Sequence, residues 1–282
     1  MSDLTQELIA GMALAEECGT MALDLQLRGN DALCAREKPD GEGPVTVADT
    51  RVNARIVEAL ATKFPNDGLL AEESPSGIFP ADAKRLWIID PIDGTRDFAR
   101  GEPSWAIHIG LCIDGQPVLG IVAEPAAGRI SWGITKGPDR GAWCRTLGTT
   151  VALKASNLEP RLVMSKSHHS ERTPQAAQCL GIPPERQHKM GSVGVKANAL
   201  ARGFAQYYVH PVAGTKLWDS CAPQALLIAA GGSFTDLHGA DLNYAPHALV
   251  NRRGLLATIG VDHRHVVERL APLAEIWFPR AG

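Results

Sequence analysis

From Leu4 onward, the apolar residues Leu8, Ile9, Met12 and Ala15 recur at helical spacing and predict an amphipathic helix near the start of the chain. A second helix is predicted after Thr46. There Thr46-Val47-Ala48-Asp49 has the spacing of a capping box, and Val52, Ile56, Val57 and Leu60 continue as an apolar stripe. Asp49 therefore belongs to a first helical turn, beside backbone N–H groups that lack partners within the helix. Phe64-Pro65-Asn66-Asp67-Gly68 supplies turn residues that end it.

Beyond this turn the period shortens. Apolar runs at 69–70, 86–89, 105–112 and 118–123 are separated by Gly, Pro and Asp and predict strands, with Asp114-Gly115 as a hairpin turn between the last two. From Leu162, strand-like segments (162–165, 206–209) alternate with helical ones (195–201, 222–230), the pattern of a layered α/β arrangement. The chain divides on this reading into an N-terminal α+β half, residues 1–155, and a C-terminal α/β half, residues 156–282. There is no internal repeat and no low-complexity linker.

Composition narrows the function classes. At 282 residues, 45% hydrophobic and 21% charged, the chain has the make-up of a globular protein with a sizeable core. A formal net charge of −3 leaves no basic surplus for a nucleic-acid backbone, so a polynucleotide partner is not expected and an anionic substrate must be held locally. The apolar stretch at 225–230 is too short to span a bilayer, and the first eight residues lack the basic start and apolar core of a signal peptide. A cytoplasmic location without membrane contact is expected. The six cysteines are scattered with no C-x-x-C pair, which reads as buried free thiols.

The segment Trp87-Ile88-Ile89-Asp90-Pro91-Ile92-Asp93-Gly94-Thr95 carries the candidate chemistry. A buried strand delivers Asp90, Pro91 is expected to stop the sheet pairing, and Gly94 permits a tight turn. Two carboxylates so close repel each other unless a cation lies between them. The nearby ligand candidates are oxygen donors, which selects hard Mg²⁺ over zinc. A turn in which each Asp caps a backbone N–H is the competing reading. Glu72-Glu73 follows a second strand, and Asp219 stands at the start of an apolar helix, where alone it would be an ordinary cap. The combination argues for a metal site.

Ala71 to Ser74 (A-E-E-S), Trp87 to Thr95 (W-I-I-D-P-I-D-G-T) and Trp218 to Pro223 (W-D-S-C-A-P) resemble the inositol monophosphatase superfamily in order and spacing, over nearly the whole chain. Within it, residues 216–244, Ser165 to His168 and Gly191 to Lys196 are most similar to the 3'(2'),5'-bisphosphate nucleotidases. The resemblance implies an α+β fold, a layered αβαβα sandwich. It implies two or three Mg²⁺ ions on Glu72, Asp90, Asp93, Asp219 and the Ile92 carbonyl, with Thr95 oriented by Asp49 to activate water. Backbone N–H groups of Gly94 and Thr95 would face the phosphate, and Ser167, His168, Ser192 and Lys196 would meet the rest of a nucleotide bisphosphate. Lys196 is the member with the charge to meet a second phosphate, though it also reads as a solvated helix lysine.

The implied activity is removal of the 3'-phosphate from 3'-phosphoadenosine 5'-phosphate, with lithium inhibition. Alternatives are phosphatases of the same superfamily acting on inositol 1-phosphate, histidinol phosphate or fructose 1,6-bisphosphate, or a binding protein without catalysis. The chain would be a monomer or homodimer. Two departures stand out: 38–46 is one residue longer than the usual K-x-D-x-S-P-V-T and lacks its serine, and Ala71 replaces the commoner glycine. Gly191 to Lys196 lacks the G-K-[ST] of a Walker loop, His168-His169 lacks a third ligand for a metal site, and His108 reads as a strand residue rather than a base.

Overall fold

The computed structural model describes residues 3–38, 43–78, 84–154, 159–167, 170–244 and 249–280. Helix α1 (Thr5–Leu27) buries Leu14, Ala15, Cys18, Ala22 and Leu25 along one face. Helix α2 (Val47–Lys63) begins at the expected capping box. The Thr46 hydroxyl accepts from Ala48 N at 3.1 Å, and the Asp49 carboxylate accepts from Thr46 N at 2.8 Å.

Eight strands form the larger sheet: β1 (Gly68–Ala71), β2 (Ser74–Ile78), β3 (Arg85–Asp93), β4 (Ala106–Ile113), β5 (Gln116–Glu124), β6 (Arg129–Ile134), β7 (Gly141–Thr146) and β8 (Thr149–Leu153). Their spatial order is β8-β7-β6-β5-β4-β3-β1-β2, and β1 beside β3 is the parallel pair. That register matters for the site, because it pairs Ala71 with Ile89 and so brings Glu72 and Asp90 out at the same end of the sheet. Successive side chains of β3 feed opposite layers. Trp87 and Ile89 pack with α1 and α2, while Leu86 and Ile88 pack on the other side. Each such fully buried side chain contributes roughly 1.5–3 kcal/mol.

Pro91 does not end the pairing of β3, contrary to the sequence expectation. The strand runs on to Asp93, with Asp90 opposite His108 and Asp93 opposite Ala106, so β3 carries one extra residue over this interval. This is a bulge, the place where a proline without an N–H is tolerated in a sheet. In a regular strand, residues three apart face opposite sides. The extra residue cancels that alternation and turns Asp90 and Asp93 to one side. Gly94, at φ 95°, then makes the turn into the short helix α3 (Thr95–Ala99).

The second sheet is built from β9 (Leu162–Ser165), β10 (Gln187–Met190), β11 (Tyr207–His210), β12 (Ser233–Thr235) and β13 (Leu255–Thr258), in the order β10-β9-β11-β13-β12. Helices α4 (Arg172–Cys179) and α7 (His263–Trp277) cover its outer face through Ala176, Leu270 and Ala274. Between the two sheets lie α5 (Val193–Ala201) and α6 (Leu217–Ala229). The layering is therefore helix, sheet, helix, sheet, helix, as the resemblance implied. Helix α6 starts earlier than its apolar run suggests, so Asp219 falls in its first turn.

A row of glycines sets how deeply α6 sits. Gly110, Gly120 and Gly133 are register partners on β4, β5 and β6. A Cβ on Gly120 would come within 2.1 Å of the Ala222 carbonyl oxygen, and one on Gly133 within 2.7 Å of the Leu226 Cα. Only bare backbone lets helix and sheet approach this closely. All six cysteines are free, but the expectation that they are buried holds for Cys18, Cys112, Cys144 and Cys221 only. Cys34 is exposed and Cys179 partly so. Among the described residues, no helix is long and apolar enough to cross a membrane.

Candidate active site

Carboxylates from two sheet strands and one helix converge. Ligand oxygens of Asp90, Asp93 and Asp219 all lie within 4.8 Å of one another. Asp90 comes from β3 before the bulge, Asp93 from beyond it, and Asp219 from the first turn of α6, where its carboxylate also accepts from Lys216 N at 2.7 Å. Capping and clustering are both roles of this one residue. Glu72, at the end of β1, is held by the Lys38 ammonium, which bridges Glu72 and Glu73 at 2.7 Å to each. Of the segment that departs from the usual loop pattern, residues 39–42 lie outside the described residues.

Electrostatics show what the cluster needs. Burial pushes the Asp90 and Asp219 carboxyls well above the ordinary carboxylate range, and the neighbouring acids push them further. Burial likewise raises Glu72 to about 7, despite Lys38. For Lys38, burial opposes the charge, but Glu72 and Glu73 outweigh it and raise its pKa. So many carboxylates cannot all ionise beside each other without a counter-cation, and their oxygens offer hard donors. The donor set fits a hard divalent cation.

Thr95 stands beside this cluster. Its hydroxyl lies 3.1 Å from Asp49 Oδ1 and 2.9 Å from the Ile92 carbonyl oxygen, while Ile92 N donates to Asp90 Oδ1 at 3.0 Å. Asp49 is buried behind the threonine, and that burial raises its pKa to about 6, against the opposing hydrogen bonds from Thr46 and Thr95. The sequence-derived pair of Asp49 and Thr95 is thus in contact across 46 residues of chain.

A cavity of about 340 Å³ opens over these groups, within the range of small-molecule sites. Glu72, Asp90, Ile92, Asp93, Gly94, Thr95, Ser167, Ser192, Lys196 and Asp219 all line it. His168 lies outside the described residues. Ser192 is also engaged within the protein: its hydroxyl donates to Asp93 Oδ2 at 2.6 Å and caps α5 by accepting from Val195 N at 3.1 Å. The same Asp93 oxygen accepts from the backbone N–H groups of Val193 and, at 3.2 Å, Gly194.

Lys196 is not a solvated helix lysine. It is 2% exposed, and its ammonium is directed at the carbonyl oxygens of Met190 (3.4 Å), Gly191 (2.9 Å) and Ser192 (2.5 Å). Burial lowers its pKa to about 8, and the ammonium also lies 5.3 Å from the centroid of the Tyr208 ring.

Sequence reasoning missed Arg96, Tyr208, His210 and Lys216 in the lining. It also missed that His108, buried in β4, reaches the site, with Nε2 3.3 Å from Asp93 Oδ2. An isolated polar residue in an apolar strand was the available signal.

The inositol monophosphatase family matches residues 3–276. The 3'(2'),5'-bisphosphate nucleotidase CysQ of Salmonella typhimurium is 32% identical over 230 residues, covering 80% of this chain and 88% of that protein. The 3'-phosphoadenosine 5'-phosphate phosphatase of Mycobacterium tuberculosis is 33% identical over 202 residues, 70% of each chain. Among solved structures, the IMPase of Thermotoga maritima superposes with a TM-score of 0.77 at 24% identity, over 96% of this chain and 99% of that one. At that identity the likeness speaks for the fold.

Proposed function

The chain belongs to the inositol monophosphatase family, and from that premise we propose that it is a magnesium-dependent phosphomonoesterase removing the 3'-phosphate of 3'-phosphoadenosine 5'-phosphate to give AMP and phosphate. The observation that carries the reaction class is the meeting of Asp90, Asp93 and Asp219 within 4.8 Å of one another, in a cavity that also contains Thr95. The substrate is taken from the relatives named for it, at 32% and 33% identity.

Two or three Mg²⁺ ions, held by Glu72, Asp90, Asp93, Asp219 and the Ile92 carbonyl, would supply positive charge to the phosphate and to the leaving oxygen. The protein's own groups do the rest. Thr95 Oγ1 would accept a proton from the attacking water while its own proton moved to Asp49, a reading supported by their 3.1 Å contact and by an Asp49 pKa of about 6, which suits a base near neutral pH. N–H groups of Gly94 and Thr95, where the chain turns into α3, would orient phosphate oxygens. Ser167 offers a hydroxyl to the sugar or base, and Ser192 and Lys196 shape the loop beside it. A cytoplasmic setting, as monomer or homodimer, fits six cysteines that are all thiols.

Phosphate release from 3'-phosphoadenosine 5'-phosphate, inositol 1-phosphate, histidinol phosphate and fructose 1,6-bisphosphate, with and without Mg²⁺, tests both parts. Turnover should be highest on the first, need Mg²⁺ and fall with added LiCl. No Mg²⁺-dependent release from any of the four would end the reading, and a strong preference for another substrate would end its nucleotide part.

A further inference from the structure

His108 is 0% exposed and sits between Ile107 and Ile109 in the middle of β4, directly opposite Asp90. An imidazole in such a place loses its water and must recover the loss through partners. Its two nitrogens face separate segments of the site, and one of them is hydrogen-bonded. Nδ1 lies 3.2 Å from the carbonyl oxygen of Trp218, and since a carbonyl only accepts, Nδ1 carries a hydrogen. Nε2 faces Asp93 Oδ2 at 3.3 Å and has no hydrogen-bond partner among the described residues, so with the hydrogen on Nδ1 this side of the ring meets the carboxylate by packing.

The ring meets a third segment edge-on. A Cβ placed on Gly194 would come within 2.1 Å of His108 Nε2, so the first turn of α5 lies directly against the imidazole. That turn supplies the Val193 and Gly194 amides that also hold Asp93 Oδ2. One side chain therefore touches the carboxylate at the end of β3, the Gly194 whose amide holds that carboxylate, and the residue immediately before Asp219.

We propose that His108 is a positioning residue for the metal centre: it spans Asp93 and the start of α6 and so sets where the Asp93 and Asp219 carboxylates stand relative to each other. The inference rests on the reading of these carboxylates as metal ligands. It assigns the imidazole no part in proton transfer to or from substrate, and its whole effect passes through the cation's fit to its ligands. Groups that orient ligands in this way are typically worth about 10–100-fold in metal affinity.

Three variants of the full chain separate the contacts. His108→Asn keeps a donor near the Trp218 carbonyl but does not reach Asp93, His108→Gln presents an amide where Nε2 stood, and His108→Leu removes both. Mg²⁺ and Mn²⁺ binding would be measured by calorimetry without substrate, alongside kcat and KM over a Mg²⁺ series and a melting curve for each variant. His108→Leu should lose about 10–100-fold in metal affinity, with His108→Gln recovering part of it. Activity lost at low Mg²⁺ should return at saturating Mg²⁺. A folded His108→Leu with wild-type metal affinity would overturn the proposal, as would metal losses in all three variants that merely track their melting temperatures. Should the leucine variant not fold, the Gln variant must still bind metal more tightly than the Asn variant. A wild-type chain that binds neither metal would overturn this inference together with the reading beneath it, whereas wild-type binding with unaltered variants sinks the inference alone.

Discussion

The carboxylate end of the cavity and the wall that would face a nucleotide are built by different means. At the carboxylate end the backbone does the placing. A parallel register brings Glu72 beside Asp90, a bulge at Pro91 turns Asp93 to the same side, and the glycine row lets α6 carry Asp219 in. The carboxyls are left with mutual repulsion that a cation can relieve. Along the wall two of the polar groups are already employed. Ser192 holds Asp93, and Lys196 gathers the carbonyls of its own loop. The difference teaches that the reaction is imprinted in the backbone, while substrate choice lies in which wall groups a ligand can still reach.

The largest test of that contrast is Asp90→Asn. It should cut Mg²⁺-dependent phosphate release by about 10³-fold, the scale of losing a principal electrostatic group in a closed site, while leaving the melting temperature unchanged or raised. Retained turnover would show that the cluster is not the reaction centre. Thr95→Ala should lower kcat by about 10²-fold, as for loss of a group that handles a proton, with KM little changed. If KM rose and kcat held, Thr95 would be a binding group instead.

Lys196→Met sharpens the wall's side of the comparison. The Gly191 carbonyl would lose its donor, at about 1–3 kcal/mol for a buried group left unsatisfied, while the Met190 and Ser192 oxygens keep the backbone amides of Lys166 and Lys196, so the loop should loosen and kcat/KM should fall by a similar factor on bisphosphate and monophosphate substrates. A loss confined to the bisphosphate would put the ammonium on the second phosphate after all.

The smallest effect concerns stability in EDTA. Asp49 at about 6, Glu72 at about 7 and the raised Asp90 and Asp219 bind protons more tightly folded than unfolded. Such groups favour the fold at low pH, and Asp49 and Glu72 lose that contribution as pH rises through about 6 and about 7. The metal-free protein should therefore melt lower at pH 8 than at pH 5, by about 5 °C or more, and Mg²⁺ should narrow the gap. A flat or rising profile in EDTA would contradict the crowding of charge described for the cluster.

How much of this could be read from the chain follows the same division. Asp90, Asp93, Gly94 and Thr95 are contiguous, and their spacing announces itself. The Asp49 capping box was equally local and proved accurate in the backbone bonds of Thr46. The bulge was not legible, because a proline after an apolar run signals a strand end as readily as an interrupted strand. Strands β6 and β8 were not picked out, their apolar positions being mixed with exposed or half-buried residues, whereas helix α7 was passed over although Val266, Leu270, Ala274 and Trp277 recur at helical spacing. The burial of Lys196 and the reach of His108 to Asp93 were not legible for a common reason: each depends on partners brought up by folding. For His108 these lie on α6, 110 residues away in sequence, and on the first turn of α5.

The glycine row has a bearing on how the site withstands change elsewhere. Where helix and sheet meet through side chains, a swap of one aliphatic group for another can be absorbed by rotation about a bond, and the spacing drifts. At Gly120 and Gly133 main-chain atoms rest nearly on main-chain atoms, leaving no rotatable group to give way. The interface behaves as a mechanical stop, and the depth to which Asp219 projects is insulated from repacking of the surrounding hydrophobic layers.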